Sequence, residues 1–236
     1  MVPKALIFDF DGLIVDTESI EYEAWRVAFE RHGAELPRGE WIESIGTDGR
    51  GFDPMARLRE LSGRAVDEAD LHAHRRSLRD GLLQALEPLP GVVEWLEDAR
   101  RAGLGLAIAS SSPRDWVEPQ LERIGLRQFF SELITSERAP RAKPYPDLYQ
   151  TAVRALDVNP QDAWALEDSP NGLRAARSAG LHCLVIPGPM TREGCFDDAT
   201  LQLESLAQQS LQETIRRLAR QTARLAPLGS FPESKS

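Results

Sequence analysis

Residues 5–12 read Ala-Leu-Ile-Phe-Asp-Phe-Asp-Gly, a short apolar run that ends in two carboxylates. A continuous apolar run of four residues is typical of a strand that is buried on both faces of a parallel sheet. The two aspartates follow directly, so they stand where such a strand ends. In open α/β sheets, ligands bind at the carboxyl ends of the strands. This stretch therefore predicts a first strand that delivers Asp9 and Asp11 to a binding edge.

Comparable apolar runs recur along the chain and alternate with helical patterns. The further predicted strands are Leu104–Ala109, Leu133–Thr135, Ala163–Leu166 and His182–Ile186. The predicted helices between and after them are Val92–Ala102, Trp116–Ile124, Asp147–Leu156 and Leu173–Ala179. Strands that alternate with helices at this spacing predict a doubly wound α/β domain with a parallel sheet. Ser112-Pro113 and Ser169-Pro170 are each typical of a helix start with serine as the N-cap residue.

One long segment interrupts this alternation. Residues 16–87 show helical patterns and loops but no convincing strand, which predicts an all-helical module inserted after the first strand. The α/β core would then comprise residues 1–15 and 88–225. Residues 226–236 are polar and rich in Pro, Gly and Ser, and we expect a flexible tail there.

Composition narrows the function classes. The formal net charge is −9 and the sequence pI is near 5.1, which argues against a nucleic-acid binder. No apolar stretch approaches the ~20 residues needed to span a bilayer, so we expect no membrane partner. The N-terminus lacks the pattern of a signal peptide, which predicts a cytoplasmic protein.

Asp9 and Asp11 are the first candidates for chemistry. Two carboxylates at positions i and i+2 point the same way on a pleated backbone, and their mutual repulsion is relieved by a divalent cation. Oxygen ligands without a nearby Cys or His cluster favour Mg²⁺. Asp9 could attack phosphorus to form an aspartyl-phosphate, with Asp11 as general acid and base. The alternative is a simple turn after a strand, in which Gly12 supplies only a positive φ.

The remaining candidates also follow predicted strands. Ser110 could bind a phosphate oxygen with the neighbouring backbone N–H groups, or could serve only as a helix cap. Lys143 could neutralise a phosphoryl group, or could be an ordinary surface charge. Glu167 and Asp168 end an apolar strand, where unpaired acids are costly, and metal coordination explains them. All the groups needed for phosphoryl transfer thus reach one edge of the sheet.

These motifs resemble the four motifs of the haloacid dehalogenase superfamily. The first spans residues 9–18, and the others are Ser110, Lys143-Pro144 and Glu167-Asp168-Ser169. The resemblance covers nearly the whole chain apart from the tail and is strongest to the β-phosphoglucomutase-like branch, which has a helical cap.

The resemblance implies a Rossmann-like core and a cap that closes over the substrate. It implies that Asp9 is nucleophile and metal ligand, and that Asp11 is the general acid/base with its backbone carbonyl on Mg²⁺. Ser110 and Lys143 would hold the transferring phosphoryl group, and Asp168 with Glu167 would complete the metal site.

The same branch contains phosphatases and mutases. In the mutase pattern a histidine stands where this chain has Glu21, and this departure favours hydrolysis of a small phosphorylated metabolite, such as a sugar or nucleoside monophosphate. Specificity is expected from cap residues Glu18, Glu21, Trp25 and Arg50, of which Arg50 could bind a second substrate phosphate or be a solvated loop charge. The chain could also be a dehalogenase, although that activity needs no metal, or a non-catalytic phosphometabolite sensor, which would not need Asp9 and Asp11.

Overall fold

The computed structural model describes residues 2–49 and 51–225, with side chains described as far as residue 220. Arg50 and the predicted tail, residues 226–236, lie outside the described residues. The strands are β1 Ala5–Phe8, β2 Gly105–Ala109, β3 Glu132–Ile134, β4 Ala163–Glu167, β5 His182–Val185 and β6 Leu201–Gln202. The helices are α1 Thr17–Arg31, α2 Arg38–Ser44, α3 Pro54–Ser62, α4 Glu68–Leu83, α5 Val92–Arg101, α6 Arg114–Arg123, α7 Asp147–Ala155, α8 Pro170–Ser178 and α9 Leu211–Leu225.

The six strands form one parallel sheet in the order β3-β2-β1-β4-β5-β6. The α/β class and the parallel sheet predicted from the sequence are confirmed. All five predicted strands are present within about one residue of their predicted ends. The two-residue strand β6, the short helix α2 and the C-terminal helix α9 were not predicted.

Both faces of the sheet are buried, as the continuous apolar runs predict. Leu6 and Phe8 of β1 pack in one core cluster, while Ala5 and Ile7 pack in a second cluster on the opposite face. The second face carries alanines in β1, β2 and β4, so that α7 and α8 can pack closely against it. Because β1 lies in the middle of the sheet, its carboxyl end is flanked by the ends of β2 and β4.

The helices α1–α4 form the inserted cap. Within the described residues between β1 and α5 there is no strand, in agreement with the sequence. The cap has its own apolar core, which includes Trp25, Phe29, Trp41 and Leu58. The backbone N–H of Leu89 donates to the carbonyl of Ile14 at 2.8 Å, so the chain leaves the core and re-enters it at adjacent points.

No helix in the described part of the chain combines the length and the apolarity that crossing a membrane requires.

Candidate active site

The sheet register brings the first pair of acids together. Phe8 of β1 pairs with Leu166 of β4, so Asp9 and Glu167 follow at the same level on neighbouring strands. The backbone N–H of Asp9 donates to the Leu166 carbonyl at 2.9 Å, which fixes the residue at the strand end. Asp9 and Glu167 are 3% and 0% exposed, so two carboxylates lie side by side away from solvent.

Lys143 lies between these carboxylates. Its Nζ is 2.6 Å from Asp9 Oδ1 and 2.7 Å from Glu167 Oε1, and the residue is 2% exposed. Burial alone would lower the pKa of Lys143, but the charges of Asp9 and Glu167 together raise it above its usual value. Lys143 is therefore a permanent cation, not a solvated surface charge. Lys143 lies next to Asp9, as expected. Its second ion pair, with Glu167, was not predicted from the sequence.

Tyr149 of α7 is a functional neighbour that the sequence patterns did not reveal. Its hydroxyl donates to Glu167 Oε1, and both residues are fully buried. Burial, with Glu167 adding to it, raises the pKa of Tyr149 well above its usual value, which keeps the phenol a hydrogen-bond donor. A glycine in the first turn of α8 makes room for the same carboxylate: a Cβ on Gly172 would lie 1.9 Å from Glu167 Oε2.

Asp168 follows Glu167 and completes a cluster of three buried acids. One oxygen each from Asp9, Glu167 and Asp168 lies within 4.8 Å of the others. Asp168 Oδ2 accepts a hydrogen bond from the Thr191 hydroxyl at 3.3 Å, whereas Asp168 Oδ1 and Glu167 Oε2 have no partner among the described residues. The N-cap role predicted for Ser169 is confirmed, since its side chain accepts the Gly172 N–H.

The electrostatics of this cluster favours a bound cation. Burial raises the pKa of Asp9 to about 7 even though Lys143 opposes the shift. Burial, followed by the charges of Asp9 and Glu167, raises the pKa of Asp168 well above its ordinary value. Three buried carboxylates share one lysine, and two of their oxygens are unpaired. A hard divalent cation such as Mg²⁺ fits this donor set and would restore the ionised form.

Asp11 is held by three donors on the side facing the cap. Its Oδ1 accepts from the Thr17 hydroxyl at 2.6 Å and from Trp116 Nε1 at 2.9 Å, and its Oδ2 accepts from the Ser112 hydroxyl at 2.6 Å. The N-cap role predicted for Ser112 is wrong. Pro113 occupies the N-cap position of α6, and the first helical N–H, that of Arg114, donates to Glu137 Oε1 at 3.0 Å.

Ser110 follows directly after β2 and is 1% exposed. Its Oγ accepts the backbone N–H of Ser112 at 3.0 Å, and its own N–H donates to the Ile134 carbonyl at 3.0 Å. The serine thus stands at the carboxyl end of the strand next to β1, as expected.

A cleft of about 310 Å³ lies between cap and core beside Asp11. Its lining, which defines the cleft below, is Asp11, Thr17, Glu18, Glu21, Ser112, Pro113 and Trp116. Glu18 and Glu21 also line a second cavity of about 240 Å³ within the cap, together with Trp41 and Phe52. Burial, and then the charges of Asp11 and Asp9, raises the pKa of Glu18 well above its usual value.

Glu21 is not a free anion. Its Oε2 is 2.6 Å from Arg75 Nη1, and its Oε1 is 3.5 Å from Arg79 Nη1, both arginines belonging to α4. Trp25 does not line the two cavities; it is buried in the cap core, where the Arg75 guanidinium stacks 4.9 Å from its ring centre. The structure thus brings Glu18 and Glu21 to the cleft. The predicted role of Arg50 falls outside the described residues.

The cap is tied to the core through its own backbone. The Ser111 hydroxyl donates to the Gly46 carbonyl at 2.9 Å. The side-chain amide of Asn171 donates to the carbonyls of Ile45 at 2.7 Å and Glu43 at 3.1 Å. Each bond joins a core side chain at the edge of the site to a cap carbonyl.

Known proteins resemble the chain over most of its length. A family model for haloacid dehalogenase-like hydrolases matches residues 6–186. The chain is 40% identical over 208 residues to the putative phosphatase YhcW of Bacillus subtilis, covering 88% of this chain and 94% of that protein.

Two solved structures share the fold. A variant of CbbY from Rhodobacter sphaeroides in complex with xylulose-(1,5)bisphosphate has a TM-score of 0.70 and 32% identity, covering 90% of this chain and 98% of that one. A β-phosphoglucomutase from Clostridium difficile has a TM-score of 0.74 at 21% identity, covering 95% of this chain and 100% of that one.

The family match, the phosphatase relative and the helical cap agree with the four motifs around Asp9. The chain belongs to the haloacid dehalogenase-like hydrolases, in their β-phosphoglucomutase-like branch, and is a phosphoric monoester hydrolase.

Proposed function

We propose that the protein is a Mg²⁺-dependent phosphatase that hydrolyses a phosphorylated sugar or similar small metabolite through an aspartyl-phosphate on Asp9. The observation that carries the proposal is the buried contact of 2.6 Å between Asp9 and Lys143 inside the three-acid cluster. The lysine occupies one oxygen of Asp9 and leaves the other for attack. A nucleophilic carboxylate with a fixed cation beside it is what phosphoryl transfer requires.

The residues would divide the work as follows. Asp9, Asp168 and Glu167, with the backbone carbonyl of Asp11, would hold Mg²⁺. The bound cation would neutralise charge on the phosphoryl oxygens and on the cluster. Asp9 attacks phosphorus, the bond to the substrate oxygen breaks, and Asp11 gives that oxygen a proton.

Water then attacks the aspartyl-phosphate, Asp11 takes a proton from it, and inorganic phosphate leaves. Lys143 would bind a phosphoryl oxygen in both steps, since it is already next to the nucleophile. Ser110 would supply a hydroxyl and the adjacent N–H groups from the neighbouring strand end.

The cavities favour a polyhydroxylated substrate. The carboxyl groups of Glu18 and Glu21 can form hydrogen bonds with hydroxyl groups, and the Trp41, Phe52 and Trp116 rings offer apolar walls for carbon–hydrogen faces. The sugar bisphosphate bound by the CbbY variant supports the same class. We infer a sugar or sugar-alcohol phosphate in preference to a nucleoside monophosphate.

A phosphate-release screen over phosphorylated sugars, sugar alcohols and nucleosides tests this proposal. We expect Mg²⁺-dependent release and none from Asp9→Asn, which keeps the size of the side chain and loses the nucleophile. Circular dichroism verifies that the variant is folded. Undiminished release by folded Asp9→Asn, or by the native protein in excess EDTA, would contradict the mechanism.

The mutase is the second candidate, and Glu21 bears on it. An unpaired anion at this position would repel a bisphosphate intermediate. In the structure Arg75 balances the charge of Glu21, so repulsion of a bisphosphate is not an argument against a mutase. The argument that remains for hydrolysis is that the histidine of the mutase pattern is replaced by Glu21. Incubation with β-glucose 1-phosphate and Mg²⁺, with and without β-glucose 1,6-bisphosphate, separates the two functions. Formation of glucose 6-phosphate that outruns phosphate release on every monophosphate would identify a mutase.

A further inference from the structure

Trp116 connects the cap to the general acid/base. It lies in α6 of the core, and its indole Nε1 donates to Asp11 Oδ1 at 2.9 Å. The guanidinium of Arg79, from cap helix α4, stacks on the same indole with its carbon 5.3 Å from the ring centre. This distance is within the range of a cation–π interaction. One ring therefore contacts both the cap and the residue that moves the proton.

The hydrogen bonds on Asp11 show which of its oxygens is free to exchange a proton. A carboxylate oxygen has about two acceptor sites. On Oδ1 both are filled, by Thr17 and by Trp116, whereas from the described residues Oδ2 accepts one hydrogen bond, that of the Ser112 hydroxyl. The Ser112 hydroxyl can rotate, but the Trp116 N–H is fixed by its ring.

We propose that Trp116 is a positioning residue that fixes the Asp11 carboxylate so that Oδ2 exchanges the proton, and that Arg79 makes this position depend on a docked cap. The inference rests on the proposed aspartyl-phosphate mechanism and adds the residues that orient its acid/base. When the cap moves away, Arg79 leaves the indole, and the ring loses the contact that holds its plane. Water would then attack the aspartyl-phosphate less readily, because the base is no longer oriented.

If Trp116 orients Asp11, its loss should affect formation and hydrolysis of the aspartyl-phosphate differently. With p-nitrophenyl phosphate, the leaving phenolate departs as a stable anion, so the first step hardly needs a proton from Asp11. Hydrolysis of the aspartyl-phosphate still needs Asp11 as a base. A fault in orienting Asp11 therefore slows the second step and spares the first.

The main test is Trp116→Phe, which keeps an aromatic ring for Arg79 and removes only the N–H donor. Rapid-quench measurements with p-nitrophenyl phosphate and Mg²⁺ give the rates at which the aspartyl-phosphate forms and is hydrolysed. We expect formation within about twofold of the native rate and hydrolysis slower by roughly tenfold, part of the ~10²–10⁴-fold that acid–base catalysis supplies. Equal slowing of both steps, or of neither, would overturn the inference.

Trp95→Phe is the matched control. The Trp95 indole is also buried and donates its N–H, in this case to the backbone carbonyls of Leu206 and Gln209, remote from Asp11. Its loss should lower thermal stability without changing the ratio of the two rates. A change in that ratio for Trp95→Phe would show that the readout reports stability alone and would count against the role of Trp116.

The cap's contribution is tested by Arg79→Gln in two backgrounds. In the native background we expect hydrolysis to slow by roughly threefold, the value of one exposed cation–π contact. In Trp116→Phe the same change should have no further effect on hydrolysis, because the ring no longer holds Asp11. If the double variant instead slows hydrolysis by the product of the two single effects, Arg79 and Trp116 act independently and the proposed coupling is wrong.

Arg100→Gln removes a comparable stack, 4.6 Å from the Phe129 ring centre, and should leave both rates unchanged. Slower hydrolysis in this variant would mean that loss of any arginine–aromatic contact, even one remote from Asp11, slows this step. That result would overturn the role assigned to Arg79. The outcomes also separate this inference from the proposed function. If the native protein forms no aspartyl-phosphate at all, the proposed mechanism itself is wrong.

Discussion

Each end of the site contains an ion pair, but the two pairs differ in how deeply they are buried. At the end of the sheet, the side chains of Lys143 and Asp9 are 1% and 5% exposed and are held from several directions. At the cleft, Glu21 pairs with Arg75 of another cap helix, and the two side chains are 25% and 13% exposed. Removing one partner of a fully buried ion pair is strongly destabilising, and a partly exposed pair such as Glu21–Arg75 contributes less to stability. We therefore expect the chemistry to take place at the buried end and the substrate to be selected at the cap end.

The largest expected effect comes from removing the cation at the buried end. Lys143→Met keeps the length of the side chain but leaves Asp9 and Glu167 buried without their partner. We expect loss of measurable phosphatase activity and a fall of roughly 3 kcal/mol in the free energy of unfolding. Urea denaturation and phosphate release measure the two effects.

Lys4→Met is the comparison for that variant. Lys4 pairs with Asp162 at 2.9 Å, but its side chain is 67% exposed. Its loss should cost less than ~1 kcal/mol and leave activity intact. Equal costs for the two lysines would contradict the distinction between buried and exposed ion pairs.

A smaller effect is expected when the metal cluster is disturbed through the backbone. Gly12 has φ +81°, and a Cβ there would lie 2.3 Å from Asp168 Oδ2. Gly12→Ala should displace Asp168 and weaken Mg²⁺ binding by roughly tenfold or more, as measured by calorimetry.

Gly125→Ala supplies the matched control, since Gly125 has φ +72° and no atom of the described residues would lie within 4 Å of an added Cβ. Both variants should lose roughly 1–2 kcal/mol of stability through left-handed backbone strain. Only Gly12→Ala should bind Mg²⁺ more weakly.

The third prediction concerns pH. In the metal-free protein the pKa of Asp9 is about 7 against 3.8 ordinarily, so between these values the folded state holds a proton that the unfolded state releases. Stability without metal should therefore fall as pH rises through that window. Mg²⁺ competes with this proton, so its affinity should rise with pH through that window.

Asp9→Asn serves as the reference for this pH dependence. The variant has no titrating group at that position, and its metal-free stability should be flatter across the window. A native protein that gains stability from pH 4 to pH 7 in EDTA as steeply as with Mg²⁺ would contradict the raised pKa.

The smallest effect is expected at the cap end. Glu21→Gln breaks the pair with Arg75 and should change KM for the preferred substrate severalfold, with little change in kcat or Tm. Glu23→Gln, in the same helix, breaks an exposed pair of 2.6 Å with Arg26 and should change neither kinetic constant. A loss in kcat comparable to that of Lys143→Met would place Glu21 in the chemistry.

The sequence predicted the sheet well because each central strand is a continuous apolar run, which has few other uses. β6 was missed because it has only two residues, Leu201 and Gln202, and only the first is buried. The charged residues at strand ends were also predictable, since topology brings parallel strand ends together whatever the rest of the chain does.

The helical partners of those residues could not be predicted in the same way. Tyr149 and Trp116 occupy helix positions typical of ordinary core packing. Only the structure shows which carboxylates accept hydrogen bonds from their polar groups. The N-cap prediction for Ser112 was wrong because Pro113 occupies that position, while the Ser112 hydroxyl donates to a carboxylate 101 residues away in the chain. Long-range hydrogen bonds of this kind have no local sequence signature.

The bonds that Ser111 and Asn171 make to Gly46, Ile45 and Glu43 have a consequence for how this enzyme can diverge. All three accept through main-chain oxygens, so docking of the cap at these points does not depend on which side chains the cap carries there. Gly46 is the exception, because a Cβ would meet the Ser169 hydroxyl oxygen at 2.4 Å. Mutation can therefore rewrite the substrate-facing surface of the cap while its attachment is inherited unchanged, and new specificities can arise without the machinery for hydrolysis being rebuilt.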